Sequence, residues 1–593
     1  MQRPRRQLAA SALSLSLLIA ACSGGGGEGS APGSPPPPPP PPPALSPGAF
    51  ETEASTSRFL TQATFGATSE DITALTGTPD ETWFLAQLTT TPSLNLPYVL
   101  NELADPTNYD MGQLDFETKQ TPTFSFWRNA IEGDDQLRQR MAFALSQILV
   151  VSHAEGNFLF EVPQSMAHYQ DILVSNAFGN YRDLIEEVTY SPAMGEYLTY
   201  LQNTKGDPAT GRMPDENYAR EVMQLFSIGL LELNQDGSVR VDGGGIPLET
   251  YDNSDVTGLA RVFTGLSLDD DDFYFDYRTI EPEALYSRMK AFPDMHSDLE
   301  KRFLTTTIAA GTGPEESIAL ALDALVDHPN TPPFISRQLI QRFVTSNPTP
   351  EYIERVANAF ANGAYTLPSG QSVGEGRRGD LSATIAAILF DEEARNDAAR
   401  LDDQYGKVRE PVIRFINWAR TFDASTVTPE LTFAMWNTSS PGALAQHPYK
   451  SPSVFNFYRP GYVAPGTETG AQGMTMPELQ LVNANSVAGF ANYMTYFIFA
   501  FGSGDVDPER AASMIPDYTD ELALADDPQA LVDHLDLLLT YGTASPETKQ
   551  TVVTLVESLP LEVPSDPNYN GPFLRVGLAV LMMMTAPDYV VQR

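Results

Sequence analysis

The chain has almost no reactive sulfur: one cysteine, Cys22, in 593 residues. A single thiol cannot close a disulfide within the chain, and it cannot build a zinc-thiolate site or a c-type haem attachment. Lysine is nearly as scarce, since of the 36 basic residues only seven are lysine and 29 are arginine. That bias suits bidentate pairing with carboxylates in an acid-rich fold, so its meaning is structural. Positive charge as a whole is outweighed by 76 acidic residues, which leaves a formal net charge of -40. So acidic a surface repels a nucleic-acid backbone and an anionic lipid face, which argues against nucleic acid as a partner. None of the six histidines has the HxxxH or HExxH spacing of a helical metal site. There is no Gly-x-Ser-x-Gly elbow, no Ser-x-x-Lys with its companions and no glycine-rich phosphate loop, so serine acyl transfer and nucleotide chemistry have no motif, and neither has a flavin. Long apolar runs are missing too: residues 8–21 and 576–584 are both too short to cross a bilayer.

What stands at the start is an address. Arg3, Arg5 and Arg6 precede the apolar stretch 8–21, the layout of a secretory signal. It ends in Ile19-Ala20-Ala21-Cys22, small residues before a cysteine, which resembles the lipobox of bacterial lipoproteins. The expectation is a signal peptide over residues 1–21 and acylation of Cys22, with several acyl chains holding the protein to a membrane. The loss of three arginines would move the net charge from -40 to -43, so lipid and not charge must do the anchoring. Ser23 supplies no acidic retention signal, which favours the outer membrane within the cell envelope. Residues 22–53 form the next expected unit: a Gly/Ser/Pro-rich stalk in which prolines 35–43 make a polyproline II rod of roughly 28 Å, at about 3.1 Å per residue. A ligand for a proline-recognition domain is the alternative.

From residue 54 onward the pattern is helical. In residues 135–152, Leu137, Met141, Leu145, Ile148 and Leu149 recur every three or four positions, the period of one helix face. Residues 317–326 form another such stretch. Thr349-Pro350-Glu351 reads as an N-cap, a proline at the first helical position and an acid in the first turn, with Gly363 past the helix end. Asp380 caps residues 381–390 in the same way. No alternating strand pattern of comparable length and no fixed repeat appears. The expected fold class is mostly α, a large multi-helix globular body over residues 54–593 with few or no long strands. Its length allows two lobes, although no linker marks a boundary.

The densest local signal is residues 215–229, a helix with a proline-acid start and a glycine near its end. Glu216 and Arg220 form an i,i+4 pair, and Asn217 and Glu221 form a second one displaced by one residue around the cylinder. The second half of the segment is apolar on nearly all sides, so a buried carboxylate there must be paired or bound to a cation, and Glu221 is the first candidate. The alternatives are an arginine-carboxylate lock between helices and a catalytic or metal-binding cluster.

Several segments resemble one family. Arg58-Phe59-Leu60-Thr61-Gln62-Ala63-Thr64-Phe65-Gly66 and residues 140–147, 215–229, 257–265 and 407–411 are similar to the DUF1800 family of exported bacterial proteins. So are residues 328–347, 378–395 and 451–465, and the resemblance runs in order along most of 54–593. It implies a largely helical fold, no established biochemical function and, by gene association, an exported partner of the DUF1501 type. It also implies a histidine, in some members, at the position where this chain has Phe226, which weakens a metal site there.

Among the histidines, His153 and His296 stand in segments that resemble family motifs. If they converge with Glu216 and Glu221 they make a site for general acid-base work or for a hard cation; the alternative is a hydrogen-bonded histidine at a helix end. His328 and His447, each before a proline, read as loop anchors, and His168 and His534 as helix residues. Asp269, Asp270, Asp271, Asp272 and Asp276 are a weak calcium candidate without EF-hand spacing, best read as a solvated loop. Asn234-Gln235-Asp236-Gly237 is a turn. Residues 451–462 hold Phe455, Phe457, Tyr458 and Tyr462 beside Asn456 and Arg459, a loop that can stack on sugars or seat a peptide, or simply be pinned by buried aromatics. Two functions follow. The first is a membrane-anchored lipoprotein that binds or assembles with an exported partner, with Arg220, Asn217, Arg261 and Tyr458 as binding candidates. The second is an extracytoplasmic hydrolase-like enzyme using Glu216, Glu221, His153 and His296.

Overall fold

Thr349 and Asp380 show how this chain starts its helices. The Thr349 hydroxyl accepts the Tyr352 amide at 3.2 Å and opens Pro350–Asn362, which ends at Gly363 with φ +64°. A Cβ at Gly363 would stand 2.1 Å from the Arg377 carbonyl oxygen, so both the left-handed backbone and the close approach require glycine. Asp380 accepts the Ala383 amide at 2.9 Å and opens Leu381–Leu389. Both caps were legible in the sequence, because a cap and the first turn it serves lie within four residues of each other.

A computed structural model describes residues 50–593 apart from 111–112, 208, 278–279, 397–401, 403, 427–434 and 500–513. The signal peptide, Cys22 and most of the stalk therefore lie outside the described residues. Within them are 25 α-helices and six two-stranded antiparallel sheets whose strands have two or three residues. The fold is mostly α, as the periodicity indicates.

The helix Gln136–Ser146 is buried at every position, which makes it a central helix rather than a surface one. It packs against Pro163–Ser175, Asp80–Thr89 and Thr331–Phe343. It is shorter than the 135–152 pattern suggests. The amides of Ile148 and Leu149 turn back onto the Leu145 carbonyl, and the Gln147 carbonyl is taken by Arg342. The helix thus stops where tertiary hydrogen bonds claim its next residues. Pro528–Thr540, Pro546–Ser558 and Ala484–Phe499 all pack on Gly571–Thr585. That last helix contains the apolar run 576–584, and among the described residues no helix is long and apolar enough to cross a membrane.

One continuous apolar core runs from Phe50 to Tyr589, and the described residues form a single unit rather than two lobes. The end of the chain helps to close it. Val591 and Gln592 pair with Val408 and Lys407, and the Arg409 amide donates to the Val590 carbonyl at 2.7 Å.

Candidate functional site

The segment 215–229 is only partly helix. The helix is Asn217–Gln224, with Glu216 at its cap position, and the chain then turns so that the amides of Ile228 and Gly229 both reach the Met223 carbonyl. Gly229 has φ +70°, and a Cβ there would meet the Phe334 ring at 2.7 Å. The apolar second half is therefore buried, but as a turn and not as a helix. Tyr218, Ala219, Val222 and Met223 form the inward face. Beneath it Tyr218 stacks on Tyr200 at 4.2 Å and its hydroxyl meets that of Thr189 at 2.7 Å.

The polar face holds the carboxylates. Glu216 Oε1 accepts the Thr257 hydroxyl at 2.9 Å, and its other oxygen stands 3.5 Å from Arg220. Asn217 does not pair with Glu221: its side chain reaches Thr199 at 3.4 Å, and its amide donates to Asp215. Glu221 is buried and its Oε2 has no hydrogen-bond partner. Burial raises its pKa, opposed by the charge of Arg220.

The histidines stand elsewhere. His296 holds the Thr264 carbonyl at 2.9 Å through Nδ1 and faces Ser317 at 3.4 Å through Nε2. Burial pushes its pKa down to about 4, so it is neutral at physiological pH. His153 is buried with neither ring nitrogen hydrogen-bonded; burial, and then the charge of Lys450, holds its pKa well below the usual value. Among the described residues no hydrogen bond or ion pair joins any two of Glu216, Glu221, His153 and His296. The structure thus brings Glu216 and Glu221 onto one short helix and leaves each histidine in a different environment.

The remaining candidates are placed as follows. Arg261 donates to the Glu300 carbonyl at 2.9 Å and lines an open groove with Asp255, Arg302 and Thr257, whose hydroxyl donates to Glu216, but no hydrogen bond or ion pair joins Arg261 to Glu216 or Glu221 among the described residues. Tyr458 is buried, so it is a pinned aromatic and not a stacking platform, whereas Phe455 in the same loop is exposed. His447 does anchor a loop, its Nδ1 accepting the Thr438 amide at 3.1 Å. The aspartates of 269–272 do not converge: Asp270 accepts the Asp272 amide, and Asp271 points into solvent 3.8 Å from Lys290. Among the described residues no three His, Cys, Asp or Glu side chains are grouped to hold a metal ion.

Charge is gathered instead in the interior. Lys407 stands 3.1 Å from Glu478 and 3.9 Å from Glu410, and its ammonium donates to the Arg342 carbonyl at 2.8 Å. Glu410 Oε2 accepts Gln446 at 2.6 Å and also Gln147. The Tyr458 hydroxyl donates to Gln147 Oε1 at 3.3 Å. Arg342 donates to the Gln147 carbonyl at 3.1 Å, and Arg140 to the carbonyl of Arg342. All of these side chains are buried. Burial raises the pKa of Glu478, opposed by Lys407, and lowers that of Lys407, opposed by Glu478. Charges taken out of water are tolerated only when paired and hydrogen-bonded, so the cluster ties together chain segments remote in sequence. Four segments that carry the family resemblance meet here: 140–147 through Arg140 and Gln147, 328–347 through Arg342, 407–411 through Lys407 and Glu410, and 451–465 through Tyr458. The sequence reading missed Glu410 and Glu478 as a centre. The dense charge of Lys407-Val408-Arg409-Glu410 was the available signal, and nothing local marks Glu478.

The surface carries a different feature just after the helix Asn217–Gln224. Residues 230–250 fold into three short extended stretches, each bonded to the other two: Arg240 to Glu232, Leu248 to Arg240 and Glu232 to Leu248. The Asn234–Gly237 turn forms as expected, with the Gly237 amide on the Asn234 carbonyl at 2.9 Å. Asn330 clamps the base of this ribbon by donating to the carbonyls of Ile228 and Leu231 and accepting the Leu233 amide. Leu230, Val239, Val241 and Ile246 are 41–65 % exposed on it.

A family model described as "Protein of unknown function (DUF1800)" matches residues 58–591. No curated protein and no solved structure matches the chain.

Proposed function

The chain belongs to the DUF1800 family, whose description names no activity, and from its leader and its geometry we propose that it is a lipid-anchored extracytoplasmic component that binds or assembles with an exported partner. The observation that carries this is the ribbon 230–250. Four exposed apolar side chains within one element, whose base Asn330 clamps, support a docking role, because apolar groups gathered on one surface element are what partner surfaces carry. Asp236, Asp242 and Glu249 belong to the same ribbon, and its Arg240 is already engaged by Glu232 at 2.6 Å. A partner with an apolar patch and a basic border fits, and an exported protein of the DUF1501 type is the candidate. The lipobox at Cys22 supports attachment to the membrane, and the proline-rich stalk supports a body held off it.

The test is photocrosslinking in the native envelope, with the label placed at Val241 or at Leu320, which is also exposed but stands on the helix Pro314–Asp327 and not on the ribbon. One discrete adduct from Val241, absent from Leu320 and lost in the Ile246→Asp variant, is the expected result. Equal labelling from both positions, or no adduct at all, would remove the docking role. The anchor is tested separately: Cys22→Ala should move the protein from the membrane fraction to the soluble one, and a variant that stays bound is anchored by something else.

A hydrolase-like activity is favoured by one observation, the buried Glu221 carboxyl with a free oxygen and a raised proton affinity, which is the state a general acid needs. Turnover of envelope glycans or peptides by the native protein that persists unchanged in Glu221→Gln would end that reading.

A further inference from the structure

The arginines that this fold takes out of water are met by other groups. Arg182 pairs with Glu186 and Asp323, each at 2.6 Å, Arg342 donates to the Gln147 carbonyl at 3.1 Å, and Arg414 lies 3.9 Å over the Phe490 ring. Arg337 is the exception. It is half-buried, yet among the described arginines it alone makes no hydrogen bond, no ion pair and no ring contact. Its nitrogens are not among the side-chain polar atoms sealed from water without a partner, so each is within reach of solvent. Burial of the side chain lowers its pKa, and no charge of either sign stands close enough to oppose that or add to it.

Its helix fixes the position. Asn330, Phe334, Arg337 and Gln341 follow at intervals of four, three and four, which puts them on one face of Thr331–Phe343 and its cap. Asn330 holds the ribbon base through the carbonyls of Ile228 and Leu231, and the Phe334 ring lies against Gly229. One turn past Arg337, Gln341 donates to the carbonyls of Ser346 and Pro460 at 3.0 and 3.3 Å. Arg337 therefore stands between the base of the ribbon 230–250 and the loop 451–462, with its fork open. A guanidinium offers two parallel N–H donors in one plane, which matches a carboxylate. No second cation lies beside it, so the position answers a single negative charge and not a phosphate dianion. We propose that Arg337 anchors a carboxylate-binding site between the ribbon base and the loop 451–462, for a ligand bearing one carboxylate, either a free acid or a peptide terminus.

Phenylglyoxal labelling of the full chain at constant ionic strength, read residue by residue by mass spectrometry, tests this. Arg337 should react at least tenfold faster than Arg182, whose guanidinium is held by Glu186, Asp323 and the Ala319 carbonyl. The probes are sodium acetate and N-acetyl-alanyl-alanine, with acetamide and the peptide amide as their uncharged counterparts. Saturable protection of Arg337 by acetate assigns the site to free acids, and protection by the peptide alone assigns it to a peptide terminus. Arg459 is exposed, with its side chain resting only on the Phe455 ring at 5.5 Å, and stands for an arginine that is merely solvated; neither probe should protect it. Arg337→Gln removes no bond within the fold and should abolish binding of the protecting probe, read as lost saturation transfer to its methyl protons. The proposal is overturned if Arg337 reacts no faster than Arg182, if neither acid protects it, if the uncharged counterparts protect as well, if Arg459 is protected to the same extent, or if Arg337→Gln binds the probe like the unaltered chain.

Discussion

At Glu216 a carboxylate meets Arg220 at 3.5 Å, with the two side chains 33 % and 40 % exposed; at Glu478 a carboxylate meets Lys407 at 3.1 Å with both sealed from water. The chemistry is the same and the solvent is not. Water already screens the first pair, so its attraction adds little to what each group would gain alone. The second pair has lost its hydration and depends on its partners: Lys407 on Glu478, Glu410 and the Arg342 carbonyl, and Glu410 on Gln147 and Gln446. One is an ornament on a helix and the other is a joint between segments.

The sharpest way to break this contrast is to strand a charge. Glu410→Ala leaves Lys407, Gln147 and Gln446 facing a vacancy, and the expected cost is about 3–5 kcal/mol, read as a lower urea midpoint at unchanged slope. Replacing Lys407 by Met together with Glu478 by Gln should cost less than Lys407→Met alone, because Glu410 is then the one buried carboxylate that loses its cation instead of both Glu410 and Glu478; additive losses would show that the pair is not coupled.

The next effect belongs to His296. Its pKa falls from 6.5 to about 4 on folding, so the unfolded chain takes up a proton that the folded chain refuses. The stability this gives is complete above pH 6.5 and is lost as pH drops toward 4. His296→Asn should remove that slope, which is worth up to about 3 kcal/mol across the window. A wild-type stability that stays flat from pH 7 to pH 4 would contradict the neutral buried ring.

Glu221 lies between the two extremes, buried yet close to Arg220. Its raised pKa means that the folded chain holds the proton more tightly than the unfolded one, so its contribution is largest in acid and fades as pH rises. Glu221→Gln should therefore gain stability relative to the wild type as pH increases, measured by thermal unfolding from pH 4 to pH 8. The smallest effect is expected at the exposed pair, where Arg220→Ala should change stability by no more than about 0.5 kcal/mol. A loss of several kcal/mol there would place that helix face in the same class as the interior joint.

How far each site was legible follows from the range of the forces involved. The helical body, the caps at Thr349 and Asp380, the turn at Asn234–Gly237 and the i,i+4 pair at Glu216 and Arg220 all arise from neighbours within four residues, and all appear as expected. Helix ends were less legible. The helix at Gln136–Ser146 stops early because Arg342 and Glu410 take the backbone and side chain of Gln147. Of the proposed quartet, Glu216 and Glu221 share a helix as their spacing requires, but nothing in the spacing of His153 or His296 could say which carbonyl or cation each would meet.

By itself the sequence determined a mostly helical body, its strong negative charge and the absence of any cysteine chemistry beyond Cys22, because composition and short-range periodicity are properties of the chain before it folds. Only the tertiary structure decided that Gln147 meets Glu410 across 263 residues, that Tyr458 is buried, and that Lys407 meets Glu478 and the Arg342 carbonyl. Those are questions of which surfaces lose water together, and that is settled by packing among segments whose order along the chain carries no trace of it.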